Sequence, residues 1–174
     1  STDNSVDIIS NAIRDVPNAR LIALDQNEGV VRGLNRLTEE ATSDWIAFVA
    51  ADDYLFPNYA SMMEELIRKN PSVGFVSAGV EIWDENENPT GERPIFYPSL
   101  SPRIFTASET RQLLMRGDNY FWSQVTFYRR QALLDIGGFD VDFGSGTDGI
   151  ALRDLALTHG FGFVPQKLGV WRLH

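Results

Sequence analysis

Two adjacent carboxylates, Asp52 and Asp53, stand directly after the apolar run WIAFVAA at residues 45–51. Such a run reads as a strand covered on both faces, and in parallel α/β sheets ligands bind beyond the carboxyl ends of strands. Two neighbouring carboxylates cannot both be buried there without compensation. A divalent cation with oxygen ligands would compensate them. The structural alternative is that Asp53 favours the turn before a helix opened by Pro57. A third acid, Asp148, lies in GSGTDG at residues 144–149, which matches Gly-x-Gly-x-x-Gly letter for letter. No strand reads before it, and Gly169 stands near the position where an acid would hold a ribose, so this is not a dinucleotide motif. It reads better as a flexible loop that brings Asp148 to the start of a helix. Simple N-capping of a helix from Ile150 is the alternative. His174 closes the segment VWRLH and is weakly restrained by its position, and His159, in the last turn of a helix, is assigned no function.

Other chemistries fall away. The chain has no cysteine, which excludes disulfides, zinc–thiolate sites and thiol catalysis. No P-loop motif is present, and no Ser/His/Asp spacing supports covalent catalysis. No strand ends in a lysine suited to a phosphate-transfer aspartate.

The elements that would hold these acids alternate in type. Residues 5–15 read as a helix with Val6, Ile9 and Ile13 on one face, and Pro17-Asn18 breaks it. Residues 20–24 (RLIAL) read as a strand. Residues 30–41 read as a helix with Val30, Leu34, Leu37 and Ala41 on one face. After the strand at 45–51, residues 57–69 read as a helix with Met62, Met63, Leu66 and Ile67 inward, and residues 73–83 as a strand. This alternation implies an α/β fold with a mostly parallel sheet and flanking helices. The second half is less regular: a long loop or hairpin at 84–102, a helix at 108–116, a strand at 123–128, a helix at 130–136, a glycine-rich acidic loop at 137–149, a helix at 150–159, and short strands at 162–164 and 169–172.

The 174 residues carry 15 Lys+Arg against 24 Asp+Glu, a net charge of −9, with 43% hydrophobic residues. That is a folded-protein composition of one-domain length, and its sign argues against nucleic acid or an anionic membrane as partner. No apolar run reaches the ~20 residues of a transmembrane helix, and no signal-peptide pattern opens the chain, so the expected location is cytoplasmic.

Several segments occur in a telling order: Ser1-Thr2-Asp3-Asn4-Ser5; Asn27-Glu28-Gly29 with Gly33-Leu34-Asn35; Asp52-Asp53 followed by Pro57; Gly137-Gly138-Phe139-Asp140; Thr147-Asp148; and Phe163-Val164-Pro165 with Val170-Trp171-Arg172-Leu173-His174. Together they resemble the family-two glycosyltransferases of the GT-A fold. In that family the counterparts are an Asp-Asp-Gly-Ser-Thr-Asp-Asn-Ser turn, an Asn-x-Gly…Ala-x-Asn helix, a metal-binding Asp-x-Asp, a Gly-Gly-Phe-Asp turn, a Glu-Asp segment with the catalytic base, and a closing Tyr-Arg-x-His. The resemblance implies inverting transfer of a sugar from a nucleotide-sugar donor to the hydroxyl of a saccharide, lipid-linked or other acceptor. It implies Asp148 as general base, and Mn²⁺ or Mg²⁺ held by Asp52 and His174. Asn27, Gly29, Asn35 and Asp53 would bind the donor. Arg32 and Arg172 are candidate phosphate partners. Acceptor contacts are expected from residues 84–102 and 117–124, where Tyr120 and Trp122 could stack on a sugar.

Two departures stand out. Ala50 replaces the first acid of Asp-x-Asp, and Thr147 replaces an acid before Asp148. The family's first strand and helix would precede Ser1, so the resemblance implies one N-terminally truncated domain over residues 1–174. A sheet edge left open there could pair with a second copy of the chain. A non-catalytic carbohydrate-binding or assembly module is the alternative function.

Overall fold

The computed structural model describes residues 3–90, 96–118 and 120–173. In chain order these form α1 (Ser5–Ala12), α2 (Val30–Glu40), β1 (Trp45–Ala47), β2 (Tyr54–Leu55), α3 (Tyr59–Lys69), β3 (Phe75–Trp83), β4 (Arg103–Phe105), α4 (Ala107–Leu114), β5 (Thr126–Arg129), α5 (Arg130–Asp135), α6 (Thr147–His159) and β6 (Phe161–Arg172). Two short 3-10 turns, Ser123–Val125 and Val141–Gly146, precede β5 and α6.

The strands join in one sheet of order β1-β5-β3-β6-β2, with β4 also paired to β6. The parallel pairing is β3 with β6; β1–β5, β3–β5, β2–β6 and β4–β6 are antiparallel. The sheet is therefore mixed, and the expectation of a mostly parallel sheet is corrected. β5 lies between β1 and β3 and runs antiparallel to both, β2 runs antiparallel to β6, and two further findings add to this. Residues 20–24, read as a strand, are not in the ladder, so one expected parallel member is missing among the described residues. Residues 103–105, read as outside any element, run back along β6 as an antiparallel strand. The two short strands expected near the C-terminus are one continuous strand. Its register against β3 jumps from Ala78↔Val164 to Gly79↔Lys167, leaving Pro165 and Gln166 out of the ladder. A proline lacks the N–H that a ladder position requires, so the bulge falls there.

Both faces of the sheet are covered. On one, Phe75, Tyr128, Phe161 and Phe163 pack against Leu133 of α5, Leu152 and Leu155 of α6, and Phe139. On the other, Val76, Ala78, Val80 and Ile82 of β3 pack with Met63 and Leu66 of α3. The inward face of α3 matches its sequence pattern: Met63 and Leu66 are buried, with Met62 and Ile67 packed beside them. The expected face of α2 is off by one position. Val31 and Thr38 are buried and Leu34 and Asn35 half-buried, an i, i+3, i+4, i+7 stripe, whereas Val30 is 72% exposed. Helix α1 buries none of its residues.

Candidate functional site

A cleft of about 420 Å³ opens beyond the carboxyl end of β1. The strand read over residues 45–51 as covered on both faces is corrected: β1 stops at Ala47, lies at the sheet edge and buries none of its residues. Phe48, Val49 and Ala50 therefore follow it into the cleft as irregular backbone, and Val30 and Leu34 close the cleft from α2. Ser123 and Gln124 come from the turn before β5, Tyr128 from β5 itself, and Phe139, Gly144, Ser145, Thr147 and Asp148 from the loop into α6. Asp53 completes the lining. The walls are largely apolar, with two carboxylates among them.

Asp148 sits in the first turn of α6. That helix starts at Thr147 with Gly146 as its N-cap, and Gly146 has no side-chain cap bond. The capping alternative for Asp148 is thereby corrected: the helix starts three residues earlier than read, and Asp148 is its second residue. A negative charge in the first helical turn is favoured by the helix dipole. Gly144, at φ +53°, makes the kink within the preceding turn. The glycine-rich loop thus delivers Asp148 to a helix start, as its sequence suggests. The Gly149 N–H donates to Asp148 Oδ1 at 2.7 Å, and the Ser123 hydroxyl donates to Oδ2 at 2.5 Å. Tyr128, fully buried beneath, has its phenol pushed well up, first by burial and then by the Asp148 charge.

Asp53 is half-buried in the turn between β1 and β2. Its N–H donates to Ala50 O at 3.2 Å, and its Oδ1 accepts the Arg172 backbone N–H at 3.0 Å. That bond ties the end of β1 to the end of β6, which β2 also pairs. Asp52 is half-buried on the same turn but is not among the residues lining the cleft. Among the described residues no three His, Cys, Asp or Glu side chains form a group able to hold a metal. His174 lies outside the described residues.

The donor-binding candidates on and before α2 separate by position. Asn27 Oδ1 accepts the Gly29 N–H at 2.9 Å, an Asx turn, and Gly29 takes φ +85° to start the helix. Together they set the direction of α2, whose first residue lines the cleft. Asn35 faces inward. Its Nδ2 donates to Phe139 O at 2.8 Å and its Oδ1 accepts the Phe139 N–H at 2.7 Å. Both ends of the carboxamide are engaged with one backbone unit, on the loop that carries the cleft wall. Arg32 is exposed on α2 and is not in the lining. The Arg172 guanidinium lies 3.5 Å from the Tyr54 hydroxyl and 3.8 Å from Glu87, with its Nε buried and unpartnered among the described residues. Trp122 packs against Trp171, ring centroids 5.9 Å apart, at the edge of the core.

Ser123 escaped the sequence reading. It lies at the edge of a segment expected to carry acceptor contacts, but its partner is 25 positions away. Only the packing of α6 against the turn before β5 brings the two together.

A family model described as glycosyl transferase family 2 matches residues 1–137, a span that includes Asp52 and Asp53 and stops before Asp148. The chain is 28% identical over 178 residues to the uncharacterized protein MT1568 of Mycobacterium tuberculosis, covering 99% of the chain and 55% of that protein. It is 25% identical over 142 residues to a poly-beta-1,6-N-acetyl-D-glucosamine synthase of Staphylococcus epidermidis, covering 82% of the chain and 33% of the synthase. Among solved structures, S. aureus TarS 1-349 in complex with UDP-GlcNAc superposes with a TM-score of 0.75 at 16% identity, over 100% of this chain and 47% of that one. The chain therefore spans about half, or less, of the length of these relatives.

Proposed function

The chain belongs to glycosyl transferase family 2, and from that membership we propose that it transfers a sugar, with inversion, from a nucleotide-sugar donor to an acceptor hydroxyl, with Asp148 as the general base. The supporting observation is that Asp53 and Asp148 face one cleft at the carboxyl end of β1. In this reading Asp53 faces the donor's diphosphate, and Asp148, at the start of α6, faces the acceptor. Asp148 takes the proton of the acceptor hydroxyl as that oxygen attacks the anomeric carbon. The bond from that carbon to the diphosphate oxygen breaks, and its electron pair leaves with the nucleotide. Attack from the side opposite the leaving group inverts the configuration. The TarS structure in complex with UDP-GlcNAc makes a UDP-sugar the donor we propose to test first.

Members of this family commonly use a divalent metal. The donor set fits Mg²⁺ or Mn²⁺: such ions are held by one or two carboxylates together with substrate phosphates, which does not require three protein ligands. Asp52 and Asp53 would hold the ion, which when bound would neutralise charge developing on the leaving diphosphate. Asp53 also anchors the end of β6 through Arg172 N–H, so its second role is to fix the turn that presents both acids. In this reading Asn27, Gly29 and Asn35 contribute by holding α2 and the Phe139 loop in place, and Arg32, exposed and outside the cleft lining, takes no part.

Calorimetry with UDP-N-acetylglucosamine and Mn²⁺ tests it alongside turnover. Asp148→Asn is expected to keep donor affinity and lose at least ~100-fold in turnover, the scale of a lost general base. Asp52→Asn is expected to lose the metal-dependent part of donor binding. Unchanged turnover in Asp148→Asn would remove the base assignment.

A further inference from the structure

Ser77 of β3 and Thr126 of β5 are fully buried polar residues, paired across the ladder. A buried hydroxyl is costly unless it is hydrogen-bonded. Thr126 Oγ1 lies 3.0 Å from Ser77 Oγ and 2.7 Å from the Trp122 carbonyl, and Ser77 Oγ lies 3.5 Å from that carbonyl. Two core hydroxyls thus hold the peptide just before Ser123. The far end of the same turn, Val125, is fully buried. The turn Ser123–Val125 is pinned at both ends from the core, and its first residue donates to Asp148.

We propose that Ser123 is a positioning residue for the transfer: its hydroxyl holds the Asp148 carboxylate in the orientation that meets the acceptor, and Ser77 and Thr126 fix Ser123 in turn. The proposal rests on the reading of Asp148 as base. With Oδ1 held by the Gly149 N–H and Oδ2 by Ser123, the carboxylate is restrained from two directions. Each carboxylate oxygen still keeps a second lone pair for the acceptor's proton. The start of α6 is already fastened by buried Thr147 and Ala151, so Ser123 is not needed to dock the helix.

The test compares the unaltered chain with Ser123→Ala, Ser123→Thr and Asp148→Asn. Turnover of UDP-N-acetylglucosamine with Mn²⁺ is followed with water as acceptor, and the crystal structure of Ser123→Ala is determined. Ser123→Ala is expected to lower kcat about tenfold, the scale of one hydrogen bond, with KM for the donor within about twofold. Ser123→Thr restores most of the rate. In the Ser123→Ala structure the Asp148 carboxylate leaves its present orientation while the turn at 123–125 stays. Full kcat in Ser123→Ala beside an inactive Asp148→Asn overturns this inference and leaves the base assignment standing. Activity in Asp148→Asn overturns the base assignment instead. A parallel rise in KM without rescue by threonine marks a merely structural role and also overturns it. If water proves too poor an acceptor to give a rate, an unmoved carboxylate in the Ser123→Ala structure does the same.

Discussion

Asn35 commits both ends of its carboxamide to the backbone of Phe139, a residue only 2% exposed. Phe139 forms part of the cleft wall, so this clasp sets where the wall stands. The neighbouring glycine shows how close the fit is. A Cβ on Gly138 would lie 2.5 Å from Asn35 Oδ1, and Gly138 already takes φ +79°. Asn35→Ala leaves one buried N–H and one C=O unpaired and is expected to cost about 2–4 kcal/mol, at ~1–3 kcal/mol per orphaned group. Urea unfolding measures it, with the midpoint falling and the slope unchanged. A loss under about 0.5 kcal/mol would mean that water replaces the side chain there.

Helix α4 shows how an element end is built from side chains. The Thr106 hydroxyl accepts the Glu109 N–H at 3.2 Å, and Glu109 Oε2 accepts the Thr106 N–H at 2.9 Å, a capping box. Glu109 also pairs with Arg103 of β4 at 2.8 Å, so the cap joins the helix to the sheet edge. The Thr106 N–H, then its hydroxyl, then Arg103, hold the Glu109 carboxyl below its ordinary value of 4.5. A carboxylate lowered in the folded state favours folding above its unfolded value, and that contribution disappears as pH falls through the folded one. Thermal midpoints measured down through about pH 4.5 should therefore fall less steeply for Glu109→Gln than for the unaltered chain. Equal slopes would show that the cap does not titrate with this carboxylate. Helix α2 is closed differently. Arg130 donates to the Thr38 and Glu39 carbonyls at 2.8 and 2.9 Å, and Arg20 to the Glu40 carbonyl at 2.8 Å, putting cations at the negative end of the helix.

At the scale of the whole molecule, net charge −9 would oppose the anionic nucleotide-sugar donor proposed above. The cleft adds Asp53 and Asp148 to that opposition. Without a divalent cation, repulsion should dominate, so donor affinity should rise as salt screens it. With Mn²⁺ the net interaction becomes attractive and the salt dependence should reverse. Calorimetry at low and at physiological ionic strength, with and without the metal, reads both signs. A metal-free affinity that falls with salt would show that arginines, not a cation, offset the phosphates. No helix among the described residues is long and apolar enough to cross a membrane.

From residue order alone the chain's family was legible, because its motifs are local. An apolar run before Asp52-Asp53 and a glycine-rich loop leading to Asp148 need only a few neighbouring residues to be read, although the strand itself stops at Ala47. Helix α3 was legible for the same reason, since its apolar spacing reports burial directly. What lay beyond reach depends on partners far along the chain. Strand direction is decided by which segments find each other: the ladder excluded residues 20–24 and included β4. The buried face of α2 is set by what packs on it, and Asn35 turned inward because Phe139, 104 positions away, offered both a donor and an acceptor. The contact between Ser123 and Asp148 is likewise a product of two elements docking, and no spacing rule within either segment carries it.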